Sequence, residues 1–307
     1  MKRALMFFVL LALLIPFASL SAPSVLAAEV GGGGSASQIL KGSKSEVDAS
    51  NKSDGYVKIR YLKETSKKIK VRISKLDASG REGTEYTYDL SGKGIAETFS
   101  FQSGNGKYRI KVLENIEGTK YSVVQTETVE VSLKNEFAPF LVPIQLINYQ
   151  SSSKAVIKAK ELTKDAKTDL EKVQSVYRFI VNHIVYDKKK AQLVIDGKLS
   201  GYIPTVDTVL ADRKGICFDY SSLMGAMLRS LNIPTKLIMG YVAPNNAYHS
   251  WNEVYIEGQG WIKINGSIYF DGEHWSRMDP TFAAGNKSGK QTEFIGNGQN
   301  YSKKYEY

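Results

Sequence analysis

The chain has 307 residues, 42% of them hydrophobic and 23% charged, with a formal net charge of +10. That length suits about two globular domains, and the composition is too apolar and aromatic for a disordered chain. One cysteine and three histidines exclude a disulfide framework, a cysteine-rich zinc or iron–sulfur site and a histidine-rich metal centre.

Lys2 and Arg3 precede an apolar run from Ala4 to Leu20, interrupted at Pro16, and then the small-residue stretch Val25-Leu26-Ala27-Ala28. A basic start, an apolar centre and small residues ahead of Glu29 predict a secretory signal peptide over 1–28. The run is short for a membrane span, so no transmembrane segment is expected after cleavage, and the mature chain is expected outside the cell or at the wall. Cleavage removes two of the 41 basic residues and no acidic one, leaving +8 spread along the chain. A dispersed excess argues against nucleic acid, which needs a concentrated patch. Outside the cell it would favour adhesion to anionic cell-wall polymers or membrane surfaces, and the bland alternative is a solvated basic surface.

Residues 29–54, with GGGGSAS at 31–37, predict a flexible linker. From Gly55 the period becomes two. Val57, Ile59 and Tyr61 alternate with Lys58 and Arg60, and Ile69, Val71 and Ile73 with Lys70 and Arg72; similar runs follow at 85–88, 98–101, 108–113 and 121–133. Turn residues separate them at 77–80, 91–92 and 103–106. Six or seven short strands predict an all-β Ig-like sandwich over 55–133. Residues 134–152 carry Pro139, Pro143 and several large apolar side chains, which predicts a connecting segment that packs across a second domain over 153–307.

There the period becomes helical. Residues 155–162 predict a short helix. Thr168 and Glu171 have capping-box spacing, and Leu170, Val173, Val176, Tyr177, Ile180 and Ile184 form one stripe behind them. His183 on that helix has no evident partner and reads as structural. The lone Cys217 stands in Lys-Gly-Ile-Cys-Phe-Asp-Tyr-Ser, ahead of a stripe of Leu223, Met224, Met227, Leu228 and Leu231 that ends at Pro234. Cys217 is therefore expected at a helix N-terminus, where unpaired N–H groups favour a thiolate and can stabilise an oxyanion. In a secreted chain, a single leftover cysteine suggests a reactive thiol or an intermolecular disulfide; buried packing is the bland alternative.

Residues 235–242 read as a strand, and His249, Trp251, Glu253 and Tyr255 alternate on a second one. Asp279 leaves a later segment in Trp-Ser-Arg-Met-Asp-Pro-Thr. Cysteine, histidine and aspartate supply a nucleophile, a base and a group to orient the base. The four blocks around Cys217, 231–241, His249 and Asp279 together resemble the transglutaminase-like superfamily over about 153–285. The resemblance implies a papain-like α+β domain, with Cys217 as nucleophile, His249 as base and Asp279 as orienting carboxylate. Asp279 rather than Asp271 matches the family's Asp-Pro-Thr pattern. A second oxyanion donor is not assigned, with Tyr186 and Tyr202 as candidates. The resemblance also implies bacterial secreted relatives, protein or peptide amide substrates, and a thioester resolved by an amine or by water. No metal or cofactor motif is present, so none is expected. The alternative is a non-catalytic cell-surface interaction protein that retains the fold.

Overall fold

The computed structural model describes residues 38–243, 246–261 and 301–307. The expected signal peptide and Asp279 lie outside the described residues. Eight strands come first: β1 Ile39–Lys41, β2 Ser45–Asp48, β3 Tyr56–Tyr61, β4 Ile69–Leu76, β5 Glu82–Leu90, β6 Glu97–Ser100, β7 Gly106–Glu117 and β8 Lys120–Val131. They form two four-stranded antiparallel sheets, ordered β1-β2-β3-β6 and β5-β4-β7-β8. The alternation is realised as burial. Val57, Ile59 and Tyr61 of β3 and Ile69, Val71 and Ile73 of β4 are buried, with charged residues between them facing water. Rings join the two sheets, with Tyr88 of β5 4.8 Å from Phe99 of β6. Glu114 of β7 accepts hydrogen bonds from Lys67, Tyr61 and Lys44, and these hold its carboxyl down at about 2.

β1 and β2 lie where the sequence predicts a flexible linker. The buried positions are Ser45 and Val47 of β2 and Ala49 just beyond it, only one of them a large apolar residue, so composition conceals the alternation. Ser45 donates instead to Gln125 of β8, at 2.5 Å.

Residues 134–152 are packed against their neighbours. Ala138, Pro139 and Phe140 form a buried single turn, and Ile144, Leu146 and Ile147 are buried. Gln145 N–H donates to Thr98 on β6 at 2.8 Å, while Leu146 and Val142 accept from Ser222 and Arg229 of the following region. The segment therefore bonds to both halves of the chain.

The second half contains α1 Lys154–Leu162, α2 Asp169–His183, β9 Val185–Tyr186, α3 Lys188–Ile195, α4 Val206–Asp212, β10 Lys214–Gly215, α5 Cys217–Ser230, β11 Thr235–Val242, β12 Ala247–Ile256, β13 Gly260–Trp261 and β14 Tyr301–Glu306. The capping box of α2 is formed, with Thr168 Oγ1 accepting from Glu171 N–H at 3.2 Å. Val173, Val176 and Ile180 are fully buried. His183 is exposed, bonded to Phe179 O at 2.9 Å and stacked on the Phe179 ring, as a structural residue should be. Helix α5 is buried along most of its length. It ends where Asn232 takes φ 62° and Ile233 N–H returns to Leu228 O, ahead of Pro234. The last sheet has the order β13-β12-β11-β14, all antiparallel.

Candidate active site

Gly215, Ile216 and Cys217 bring the chain from β10 into α5. Ile216 is extended (φ −98°, ψ 179°) and Cys217 is the first helical residue. A Cβ on Gly215 would lie 2.4 Å from the Asp219 Cβ, so the glycine of the motif makes room for that side chain. Asp219 is wholly buried. Its carboxylate accepts from Ile216 N–H at 2.7 Å, Tyr202 Oη at 2.5 Å and Lys190 Nζ at 3.0 Å. Burial works against the Lys190 charge, but the bonds to Tyr202 and Asp219 outweigh it and raise the ammonium above its usual range. Burial, then the bond to Asp219, raises the Tyr202 phenol. Lys190 also lies 4.7 Å from the Tyr202 ring centroid. This cluster ties α3 and residues 200–203 to the start of α5. The sequence motif contains Asp219, but nothing in its spacing announces Lys190 as the partner.

Cys217 is half-buried. It opens into a cleft of about 390 Å³ that is also lined by Leu199, Tyr202, Phe218, Met239, Tyr248 and His249. The first-turn N–H groups of a helix lack intrahelical acceptors, so the thiol stands where an anion is favoured. Ser250 also lines the cleft, buried, with no hydrogen-bond partner for its hydroxyl among the described residues.

The two faces of β12 differ. Asn252 donates to Ser221 O of α5 at 3.1 Å, and Val254 is buried in the main core. Tyr248 and Ser250 share that face by strand alternation. His249 and Trp251 take the other face, with ring centroids 6.5 Å and 5.0 Å from Tyr301 of β14. His249 lines the same cleft as Cys217. Tyr202 lines the cleft, whereas Tyr186 pairs in the β9–β10 ladder with Gly215. Among the described residues, no group of three or more His, Cys, Asp or Glu side chains could hold a metal ion. No helix among them is long and apolar enough to cross a membrane.

Residues 158–266 match the transglutaminase-like superfamily; they include Cys217 and His249 and stop short of Asp279. The matched stretch lies in the mixed α/β half of the chain, which is similar to that superfamily's domain. Among similar proteins, the human kyphoscoliosis peptidase is 27% identical over 136 residues, 41% of this chain and 17% of that protein. The uncharacterised protein YebA of Bacillus subtilis (strain 168) is 30% identical over 122 residues, 34% of this chain and 16% of that protein. The chain thus matches about a sixth of the length of these relatives. Among solved structures, a protein provisionally described as a cysteine protease, from Cytophaga hutchinsonii, has TM-score 0.41 and 19% identity. That alignment covers 89% of this chain and 84% of the other. Red sea bream transglutaminase has TM-score 0.25 and 11% identity, covering 74% of this chain and 48% of the other.

Proposed function

We propose that the protein is a secreted, thiol-dependent acyltransferase or peptidase acting on protein or peptide amides. The observation that carries this reading is Cys217 as the first residue of α5, opening into a cleft that His249 also lines. The Cys217 thiolate attacks an amide carbonyl, and its sulfur–carbon bond forms as the carbonyl π electrons move to oxygen. N–H groups at the start of α5 face the oxyanion. His249 passes the thiol's proton to the leaving amine, the carbon–nitrogen bond breaks, and a thioester remains. An amine resolves it to a new amide, or water to an acid. Asp279 is assigned to orient His249, and the strand-rich region to an Ig-like sandwich that presents substrate. The fold requires no cofactor for this chemistry.

The test is the pH dependence of Cys217 alkylation by iodoacetamide, followed by turnover of glutamine peptides with and without an amine acceptor. Cys217 should be alkylated faster at and below neutral pH in the wild type than in His249→Ala. His249→Ala should also lower turnover by about 10²–10⁴-fold, and Cys217→Ala should abolish it. Identical alkylation profiles in wild type and His249→Ala would remove the base assignment. That result would favour the second reading, a cell-surface interaction protein.

A further inference from the structure

The Cys217 cleft does not end at the second half of the chain. Tyr202, Phe218, Met239 and Tyr248 also line a neighbouring cavity of about 270 Å³, whose far side is Thr87 and Tyr88 of β5 with Tyr305 and Tyr307. Thr87 and Asp89 in turn line a third cavity, of about 610 Å³, over the solvent-facing side of β4 and β5. Gly201 borders all three. Its φ of +75° belongs to a backbone conformation that glycine adopts without strain.

The chemistry changes along this path. It starts at the thiol, passes an aromatic stretch and finishes among cations. Lys67, Lys68, Lys70 and Arg72 line the third cavity with one carboxylate, Asp89. Lys70 pairs with Asp89 at 2.7 Å and Arg72 with Glu85 at 3.3 Å. Glu114 answers two ammonium groups, Lys67 at 2.7 Å and Lys44 at 3.0 Å. Lys68 is exposed and forms no ion pair among the described residues. The region therefore keeps an excess of positive charge. The pairs at Asp89 and Glu85 are partly exposed and worth little, so Lys70 and Arg72 can re-pair with carboxylates of a ligand.

We propose that the three cavities form one substrate groove. It takes an extended polypeptide whose acidic residues lie on the Lys67–Arg72 side of the amide presented to Cys217. An aromatic or aliphatic residue between the two fits the tyrosine-lined middle. The strand-rich half of the chain is then part of the binding site. The proposal rests on the reading of Cys217 as the reacting centre only for which end is catalytic.

Binding can be read without turnover. Fluorescence anisotropy of the full chain carrying Cys217→Ala would use a labelled peptide with one glutamine, a short tyrosine-containing spacer and four glutamates, and its counterpart with four lysines. The glutamate peptide should bind at least tenfold more tightly, and the difference should shrink with salt. Lys68→Glu, at an exposed and unpaired position, should weaken it several-fold. Thr87→Trp, on the exposed face of β5 where the second and third cavities meet, should block it with the thermal transition unchanged. In the wild type, the same peptide should slow alkylation of Cys217. Equal binding of both peptides would overturn the proposal. So would binding that leaves Cys217 alkylation unaffected, or tighter, competing binding of poly(glycerol phosphate), which would assign the basic end to a wall polymer. Binding and protection without any turnover would leave the groove in place and remove the catalytic reading instead.

Discussion

Asp219 puts a carboxylate two residues beyond the Cys217 thiol, with no exposure to solvent. A bare anion there would oppose thiolate formation, because charges interact strongly where water is excluded. Lys190 Nζ, 3.0 Å away, offsets it, so the helix terminus retains its net preference for an anion. Lys190→Met should therefore slow alkylation of Cys217 by iodoacetamide at neutral pH; an unchanged rate would mean that Asp219 does not act on the thiol. Asp219→Asn removes the anion and keeps a hydrogen-bonding group, so it should not slow that alkylation, although it loosens α3. Part of this was legible in the sequence. Gly215, Cys217 and Asp219 fall in one motif, and a helix start explains their spacing. Lys190 was not legible, because it comes from a separate helix brought in by the β9–β10 pairing. The orientation of His249 was half legible: alternation groups it with Trp251, but only the bond from Asn252 to Ser221 tells which face of the strand α5 covers.

Elements with a strong period could be read along the chain, and those without one could not. Strands β3, β4 and β7 and helices α2 and α5 bury regular stripes, and the sequence shows them. Helix α3 has no buried residue. It is held by Asp187, whose side chain accepts from Lys190 N–H at 3.0 Å, and by the ion pair between Lys190 and Asp219, so no stripe exists to be read. Strand β14 is apolar only at its tyrosines and gains its place by pairing with β11. That pairing depends on Gly240. A Cβ there would sit 2.0 Å from Ser302 O and 2.9 Å from the Trp251 ring, a clash with backbone that no rotamer relieves. Gly240→Ala should cost about 2–3 kcal/mol in denaturant unfolding. It should also displace β14 from the edge of β11, so that Tyr301 leaves His249. An unchanged midpoint would mean the edge strand is loosely held.

Across the whole chain, the two halves share one core. Buried residues from β2 to Tyr307 form a single cluster, and aromatic rings cross from one half to the other. Tyr307 lies 5.5 Å from Tyr86 and 5.9 Å from Tyr88 of β5. Its backbone oxygen accepts from Arg229 at 2.9 Å. Arg229 is buried and charged, and it also donates to Thr235 O and Val142 O; burial lowers its guanidinium to about 10, still protonated at neutral pH. One guanidinium thereby joins α5, β11, the 134–152 segment and the residue that follows β14. A sequence reading that divides the chain at a linker misses this coupling, because Tyr86, Tyr88 and Tyr307 are far apart along the chain and each alone reads as local packing. If the coupling is real, the strand-rich half and the Cys217 half unfold together. Tyr307→Ala, which removes a large buried ring, should cost about 3 kcal/mol. It should lower the far-ultraviolet melting transition and the temperature at which Cys217 becomes fully alkylated by the same amount. Separation of those two transitions would show that the halves are independent, and the acidic end of a substrate would then have no rigid path to the thiol.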